Sequence, residues 1–215
     1  LPRGSMTIGI VLLNFGEPSE PQRDVVVDYL ERIFFANMDI EGKETTEAEA
    51  RSRSRQLAQR RAPGLMEEYE EIGGSPLIDH ATTQASMLAD ELDRRGYDVD
   101  TYYGMQYTDP FITDAVEKAR ADGVDHLVGL PIYPLCGPST NVQSLDELDE
   151  ALDEIRWAVP VDGPTGWPKH PAYNRLRIDN IREFLDETDP TLGNGTKLVF
   201  SAHAPPQYYL DEGRR

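Results

Sequence analysis

A histidine near the end of the printed chain stands where chemistry is expected. Residues 197–206, KLVFSAHAPP, contain a short apolar run that follows a Gly193-Asn194-Gly195 turn and ends at a double proline. This pattern predicts a buried parallel strand with His203 at its carboxyl end, the edge at which open α/β sheets bind ligands. A neutral imidazole there can act as a base, a proton shuttle or a ligand of a first-row metal. Taken alone, the position favours a structural role, that of a partly buried histidine capping the strand.

Other signatures of chemistry are sparse. No glycine-rich nucleotide loop follows a predicted strand, and the sequence holds neither Cys-x-x-Cys nor His-Glu-x-x-His. The single cysteine, Cys136, has no identifiable catalytic partner, so we expect a passive, half-exposed thiol. It cannot form an internal disulfide, which predicts a reducing, cytoplasmic location. The remaining histidines, His80, His126 and His170, are expected to be structural or solvated.

Charge excludes some classes of partner. The chain has 39 acidic and 21 basic residues, a formal net charge of −18, and four of the basic residues are lysine. Such a surface repels nucleic acid and anionic membranes, and its balance resembles that of proteins from salt-loving organisms. The apolar run at 8–13 is too short to span a bilayer, and no signal peptide or transmembrane segment is predicted. Residues 1–5, LPRGS, resemble a tag remnant, so we start the native chain at Met6.

Apolar runs of strand length alternate with helical periodicity along the chain. Strands are predicted at 8–13, 99–103, 126–131, 157–161 and around Leu198. Helices are predicted at 19–34, 46–61, 65–72, 76–92, 111–119, 140–155 and 172–187, with Pro63-Gly64 as a break between the second and third. This order predicts an α/β fold, a parallel sheet with helices on both faces and right-handed crossovers.

A weak internal echo suggests two similar units. Residues 10–18 and 198–205 each follow the pattern strand, small polar turn, proline. We therefore expect an N-terminal domain at 6–161, a glycine- and proline-rich connector at 162–171, and the truncated start of a second similar domain at 172–215.

Five arginines stand out between residues 51 and 61 of this acidic chain. For Arg51, Arg53 and Arg55 we expect pairing with Glu44, Glu47 and Glu49 along one helix. Arg60 and Arg61, beside the predicted break, are equally consistent with such pairing and with recognition of a carboxylate ligand, which the guanidinium fork matches.

Six motifs together resemble the ferrochelatase family, which inserts ferrous iron into a porphyrin in the last steps of heme synthesis. They are LLNFGEP at 12–18, RRAP at 60–63, YEEIGGSPL at 69–77, GMQY at 104–107, YP at 133–134 and FSAH at 200–203. They occur in the family's order from about Ile8 onwards. The resemblance implies a chelatase-like fold of two similar Rossmann-like domains, with the porphyrin in the cleft between them.

By this resemblance, His203 is the catalytic histidine that binds incoming iron or accepts pyrrole protons. The flat side chains of Phe15, Tyr107 and Tyr133 would line the porphyrin pocket. Arg60, Arg61 and Ser75 match positions associated with the pocket and its propionates. Residues 33–38 correspond to the lip over the cleft.

The chain also departs from the family pattern. Phe15 stands where some members carry an iron-ligating tyrosine, and the GGSP motif is one residue shorter than in many relatives, which leaves the register of Ser75 open. Pro138 occupies the position of an iron–sulfur ligand, so no cluster is expected. The family's acidic partner of the histidine would lie beyond Arg215.

The resemblance predicts insertion of Fe²⁺, as substrate, into protoporphyrin IX or coproporphyrin III, with no tightly bound cofactor. We expect a cytoplasmic monomer, and an inactive chain when residues 1–215 stand alone, because the cleft needs both walls. An exposed apolar face on the Leu198 strand would mark the missing wall. Two alternatives stay open: a cobalt or nickel chelatase of another tetrapyrrole, although such relatives favour paired histidines, and a non-catalytic tetrapyrrole carrier.

Overall fold

The fold is built on a four-stranded parallel sheet, as the sequence predicts. The computed structural model describes residues 6–38, 46–188 and 196–201. Its strands are β1 (Ile8–Asn14), β2 (Val99–Met105), β3 (His126–Pro131) and β4 (Val161–Asp162), in the order β2-β1-β3-β4. β1 is buried along nearly its whole length because it pairs on both sides, with β2 and with β3. All pairs are parallel, so the carboxyl ends of β1, β2 and β3 meet at one edge.

Six α-helices connect and flank these strands in the described part of the chain. They are α1 (Arg23–Ala36), α2 (Glu47–Ile72), α3 (Leu77–Arg94), α4 (Ile112–Ala121), α5 (Gln143–Glu154) and α6 (Pro171–Thr188). A π-helical turn, Pro138–Val142, leads directly into α5.

Helices cover both faces of the sheet because side chains along β1 point alternately to opposite sides. Val11 and Leu13 belong to a buried cluster with residues of α4 and α5. Ile10 and Leu12 belong to a second cluster, which includes Ala85 of α3. The predicted α/β class with helices on both faces is therefore confirmed.

α1 and α2 form a separate layer beside the carboxyl end of the sheet. Val26 and Leu30 of α1 pack against Ala58 and Ala62 of α2, and the two alanines are fully buried. Tyr107, just after β2, lies in the same cluster. This pair of helices thus supports the loops that leave the strands.

The predicted break at Pro63-Gly64 is wrong, because α2 runs through both residues to Ile72. Proline removes one backbone N–H from the helical ladder and is costly in a helix interior. The helix nevertheless continues because Ala58 and Ala62, in the turns before the proline, are fully buried against α1. Its end is set by Gly73, which takes the left-handed conformation at φ 76°.

Two strand predictions also need correction. The fourth strand is the two-residue β4 at Val161–Asp162, because residues 157–160 lead up to the sheet edge and only 161 and 162 pair with β3. The strand predicted at Leu198 is not part of the described sheet. Leu198, Val199 and Phe200 are 57%, 88% and 74% exposed, which contradicts the predicted burial of this segment and leaves its apolar side chains accessible.

α2 begins with a capping box that offers a simple test of helix stability. The Thr46 hydroxyl accepts from the Glu49 backbone N–H, and the Glu49 carboxylate accepts from the Thr46 N–H at 3.0 Å. Thr46→Ala should lower the free energy of unfolding by about 1 kcal/mol, because helix-terminal donors lose their partner. Urea titration measures the change. Thr46→Ser keeps the hydroxyl and should restore most of the loss; equal stability of Thr46→Ala and wild type would contradict the prediction.

Candidate functional site

The carboxyl ends of the first three strands bring together three of the predicted site residues. Phe15 follows β1, Tyr107 follows β2 and Tyr133 follows β3. The rings of Phe15 and Tyr107 meet edge to face, with centroids 4.6 Å apart. The Tyr133 hydroxyl lies 3.4 Å from Oδ1 of Asn14, the last residue of β1. The sheet edge therefore holds an aromatic cluster in which Tyr107 is buried and Phe15 and Tyr133 are half-buried. The accessible faces of Phe15 and Tyr133 suit a flat apolar ligand.

Amide side chains form an inner polar wall behind this aromatic cluster; Gln106 and Asn141 are buried and Gln143 is half-buried. Gln143, at the start of α5, donates from Nε2 to the Tyr107 hydroxyl and to Oε1 of Glu147, at 2.9 Å in each case. Gln106 donates to the same Glu147 oxygen at 3.4 Å. Asn141 of the π-helical turn donates to the Tyr133 carbonyl at 2.8 Å. The turn and the start of α5 thus fix the exits of β2 and β3.

Two atoms of this wall have no hydrogen-bond partner among the described residues. They are Nδ2 of Asn14, which is 2% exposed, and Oε1 of Gln106, which is 7% exposed. A buried polar atom left unpaired costs about 1–3 kcal/mol, so such atoms are normally met by water or a ligand.

Burial shifts the acid–base behaviour of the site. It raises the pKa of the Glu147 carboxyl to about 7, an effect that Asp146 and Glu150 reinforce and that the bonds from Gln106 and Gln143 oppose. Burial, with the nearby Tyr107, Tyr29 and Glu147, also raises the pKa of the Tyr133 phenol. Tyr133 therefore stays neutral at physiological pH, whereas Glu147 titrates near neutrality.

Ser75 lies apart from the aromatic cluster, in a cavity of about 630 Å³ beside the start of α3. Five carboxyl side chains line this cavity: Glu17, Glu20, Glu70, Asp79 and Asp109. Glu17 is buried, and its Oε1 accepts from the Ile78 backbone N–H at 3.1 Å, which caps α3. The Ser75 hydroxyl accepts from the Leu77 N–H at 3.4 Å, so Ser75 satisfies a second backbone donor at the start of α3. The surrounding acids repel an anionic group near Ser75.

The two candidate arginines on α2 differ in their present bonding. Arg61 donates to both carboxylate oxygens of Glu68, at 2.9 and 2.8 Å. Within the described part of the chain, no hydrogen bond or ion pair engages the side chain of Arg60, and both arginines are exposed. Arg51 pairs with Glu47 as expected, but Arg55 reaches α1 and binds Asp28 and Glu31. Arg60 is thus the freer of the two to meet an anion.

Comparison with known proteins decides the family. A model of the ferrochelatase family matches residues 7–215. The chain belongs to the ferrochelatase family. A curated protein named ferrochelatase from Gloeobacter violaceus is 35% identical over 212 residues, which is 95% of this chain and 62% of that protein. One from Desulfotalea psychrophila is 31% identical over 210 residues, with the same coverages.

Other curated ferrochelatases match over a shorter stretch. The one from Picosynechococcus is 36% identical over 160 residues, 71% of this chain and 40% of that protein. The chain spans between 39% and 62% of the length of the curated ferrochelatases compared.

Of the predicted histidine and the predicted lip segment, the structure describes only the lip segment. His203, predicted to be the catalytic and metal-binding histidine, lies outside the described residues, as do residues 1–5. The lip segment is described: residues 33–36 form the last turn of α1, and Met38 is buried. The Arg51 guanidinium lies 4.4 Å from the centre of the Phe35 ring and so braces this segment.

The described part of the chain contains neither a metal-binding cluster nor a membrane-spanning helix. Across residues 6–38, 46–188 and 196–201, no three His, Cys, Asp or Glu side chains are grouped to hold a metal ion. None of the helices in these ranges is long and apolar enough to cross a membrane.

Sequence reasoning missed the residues that lie behind the aromatic cluster. Gln106, Gln143, Glu147 and the capping role of Glu17 were not singled out. Gln106 lies inside the GMQY motif, where a polar residue directly after a strand was the available signal. Gln143 and Glu147 are four residues apart and share one face of α5, but only the fold shows that this face meets the β2 exit.

Proposed function

We propose that the full-length gene product inserts ferrous iron into a porphyrin dicarboxylate or tetracarboxylate in heme biosynthesis. The observation that carries this proposal is the family match over residues 7–215, which includes all six motifs in the family's order. The aromatic cluster at the strand ends gives the match a physical counterpart, because large flat side chains suit a macrocycle.

In this proposal, residues of the strand ends and of α2 bind the porphyrin, and His203 takes part in metal insertion. Phe15 and Tyr133 line one wall of the porphyrin site, with the buried Tyr107 packed behind Phe15, and Arg60 and Arg61 face its carboxylates. Insertion removes two pyrrole protons while a dehydrated cation enters the ring. A neutral imidazole at His203 can take a proton or hold the metal. Phe15 offers no oxygen to iron, so the aromatic wall contributes shape and not ligation.

Ser75 keeps its place in the proposal as a residue near the porphyrin carboxylates, but the charge around it limits that role. Five carboxyl groups line its cavity, so a propionate would approach Ser75 against repulsion. The exposed arginines of α2 are better placed to bind the propionates, because their charge attracts a carboxylate.

An anaerobic insertion assay tests the activity directly. Full-length protein is mixed with Fe²⁺ and with protoporphyrin IX or coproporphyrin III, and the absorbance of the iron product is followed; the faster porphyrin is the substrate. Binding without iron insertion would favour a tetrapyrrole carrier. Insertion of Co²⁺ or Ni²⁺ into another tetrapyrrole, without Fe²⁺ activity, would favour a related chelatase. No iron–sulfur cluster and no other bound cofactor enter the proposal.

The organisation of the protein is part of the same proposal. We place an N-terminal domain at 6–161, a connector at 162–171 and the start of a second domain at 172–215, with a porphyrin cleft between the domains. The exposure of Leu176, Ile178 and Phe184 on α6 supports a further packing partner for this region. We expect residues 1–215 alone to show no insertion in the same assay. Light scattering and cell fractionation test the proposed monomeric state and cytoplasmic location.

The bonding of the two arginines predicts unequal effects on porphyrin binding. Arg60→Ala should raise the porphyrin Kd about tenfold, since a hydrogen-bonded contact with a charged group contributes about 1.5 kcal/mol. Arg61→Ala should have a smaller effect because Glu68 already occupies its guanidinium. Fluorescence quenching measures both.

A porphyrin dimethyl ester and the Arg94→Ala variant are the controls. The ester lacks the carboxylates and should bind wild type and Arg60→Ala alike. Arg94 is an exposed arginine paired with Glu91 on α3, and its loss should leave the Kd unchanged. An Arg60→Ala variant that binds the dicarboxylate as tightly as wild type would contradict the assigned role.

A further inference from the structure

Glu147 is a partly buried acid that the proposed function leaves without a role. It lies on α5, one helical turn after Gln143, and its Oε1 accepts from Gln143 at 2.9 Å and from Gln106 at 3.4 Å. The same Gln143 amide nitrogen donates to the Tyr107 hydroxyl at 2.9 Å. One side-chain amide therefore joins Glu147 to a residue of the aromatic cluster.

The direction of these bonds restricts what Glu147 can do. Gln143 donates to both neighbours, so the chain from Tyr107 to Glu147 contains no path along which a proton can pass. The arrangement fixes atoms in place: the carboxylate holds the Gln143 amide, and the amide holds the Tyr107 hydroxyl. Tyr107 is 2% exposed and packs against Phe15, so its position also governs the face of the aromatic wall.

We propose that Glu147 is a positioning residue for Tyr107, acting through Gln143, and that its protonation makes the porphyrin affinity of the strand-end site depend on pH. This inference rests on the proposed function for the identity of the ligand. It goes beyond that function in assigning a role to Glu147, Gln143 and Gln106.

Gln106 is the second amide that faces Glu147. It lies directly after β2, and its Nε2 donates to Oε1 of Glu147 at 3.4 Å. Its own Oε1 is buried without a partner among the described residues. The carboxyl of Glu147 is therefore held by amides from two elements, the exit of β2 and the start of α5.

The charges around Glu147 favour its neutral form near and below neutrality. Asp146 and Glu150 lie on its own helix, and the neutral phenols of Tyr107 and Tyr133 lie at the exits of β2 and β3. Burial with these acids raises the pKa of Glu147 to about 7. The group is neutral below that pH and negative above it. A negative wall repels the carboxylates of an anionic porphyrin, so affinity should fall as pH rises.

A preformed zinc porphyrin dicarboxylate is the probe, because its ring nitrogens do not titrate. The full-length wild type should bind it about threefold more weakly at pH 8 than at pH 6, in a one-proton transition near pH 7. Glu147→Gln keeps an oxygen for Gln143 but cannot ionise, so its Kd should be flat with pH and equal to the wild-type value at pH 6. Glu147→Leu loses the acceptor and should bind about tenfold more weakly at every pH.

Glu154→Gln is the matched control, since Glu154 is an exposed acid on the same helix. This variant should keep the wild-type transition. A transition near pH 7 that persists in Glu147→Gln would overturn the proposal, as would equal Kd values for Glu147→Leu and wild type at each pH.

Thermal unfolding provides a readout that needs no porphyrin. Because the pKa of Glu147 is higher folded than unfolded, its stabilising contribution is present below about pH 4.5 and is lost as pH rises through about 7. The Tm of Glu147→Gln minus the Tm of wild type should therefore increase by about 3 °C from pH 5 to pH 8. No gain would overturn the inference. Absence of porphyrin binding by wild type, with this gain present, would instead count against the proposed function.

Discussion

Replacing Gly104 with alanine should lower the free energy of unfolding by about 3 kcal/mol, because a β-carbon at this position meets backbone and not a movable side chain. An added Cβ would lie 2.7 Å from the Cα of Ile112 and 3.3 Å from its backbone nitrogen. Gly104 pairs with Leu13 across β1 and β2, and Ile112 opens α4 and is 3% exposed. Neither side can retreat without disturbing the sheet or the helix.

Gly64→Ala is a control with the opposite expected sign. Gly64 lies inside α2, where an added Cβ would meet only the Nη1 end of the flexible Arg61 side chain, at 2.9 Å. Alanine in a helix interior is more stable than glycine by about 0.5–1 kcal/mol. Thermal and urea unfolding measure both variants, and Gly104→Ala should lose about 6–12 °C in Tm. Equal Tm values for the two variants would show that β2 and α4 can separate at little cost.

The second large effect concerns activity. His203→Ala should reduce iron insertion by the full-length protein by about 100-fold or more, since a positioned base or ligand contributes about 10²–10⁴ in rate. Porphyrin binding should change little, because the aromatic cluster and the arginines of α2 supply the proposed binding contacts. Steady-state insertion kinetics and fluorescence quenching separate the two quantities. The expected result is a fall in kcat with a nearly constant porphyrin Kd.

His80→Ala is the matched histidine control. His80 is exposed on α3, outside the proposed binding contacts, and its replacement should leave insertion at the wild-type rate. If His203→Ala kept more than about a tenth of the wild-type rate, the role assigned to this histidine would be wrong. Loss of porphyrin binding together with insertion would place His203 in binding instead.

The parts of the fold that follow from local patterns were predictable. The apolar run at 8–13 became the central strand β1, and the helical spacing in 77–92 became most of α3. Phe15, Tyr107 and Tyr133 are grouped by the family resemblance, and the parallel sheet places the three strand ends that they follow at one edge. The rings of Phe15 and Tyr107 contact each other in the structure, while the binding role of the three residues stays a prediction.

Other features depend on contacts between distant parts of the chain. The continuity of α2 through Pro63 is supported by the burial of its alanines against α1, which local propensity does not register. The partnership of Gln106 with Glu147 joins residues 41 positions apart, and that of Glu17 with Ile78 joins residues 61 positions apart. A single sequence contains no signal for such pairs.

The Glu17 contact is also one of several hydrogen bonds that hold the loop after β1 in place. The loop at Gly16 and Glu17 is tied at three points: the Gly16 carbonyl accepts from the Tyr29 hydroxyl, the Glu17 N–H donates to Thr108, and the Glu17 carboxylate caps α3 through Ile78. Three elements from different parts of the chain thus converge on two residues beside Phe15. A displacement of the Phe15 ring would therefore also have to move α1, the β2 exit and α3. A ligand seated on this ring would therefore stiffen the whole end of the domain and not a single loop.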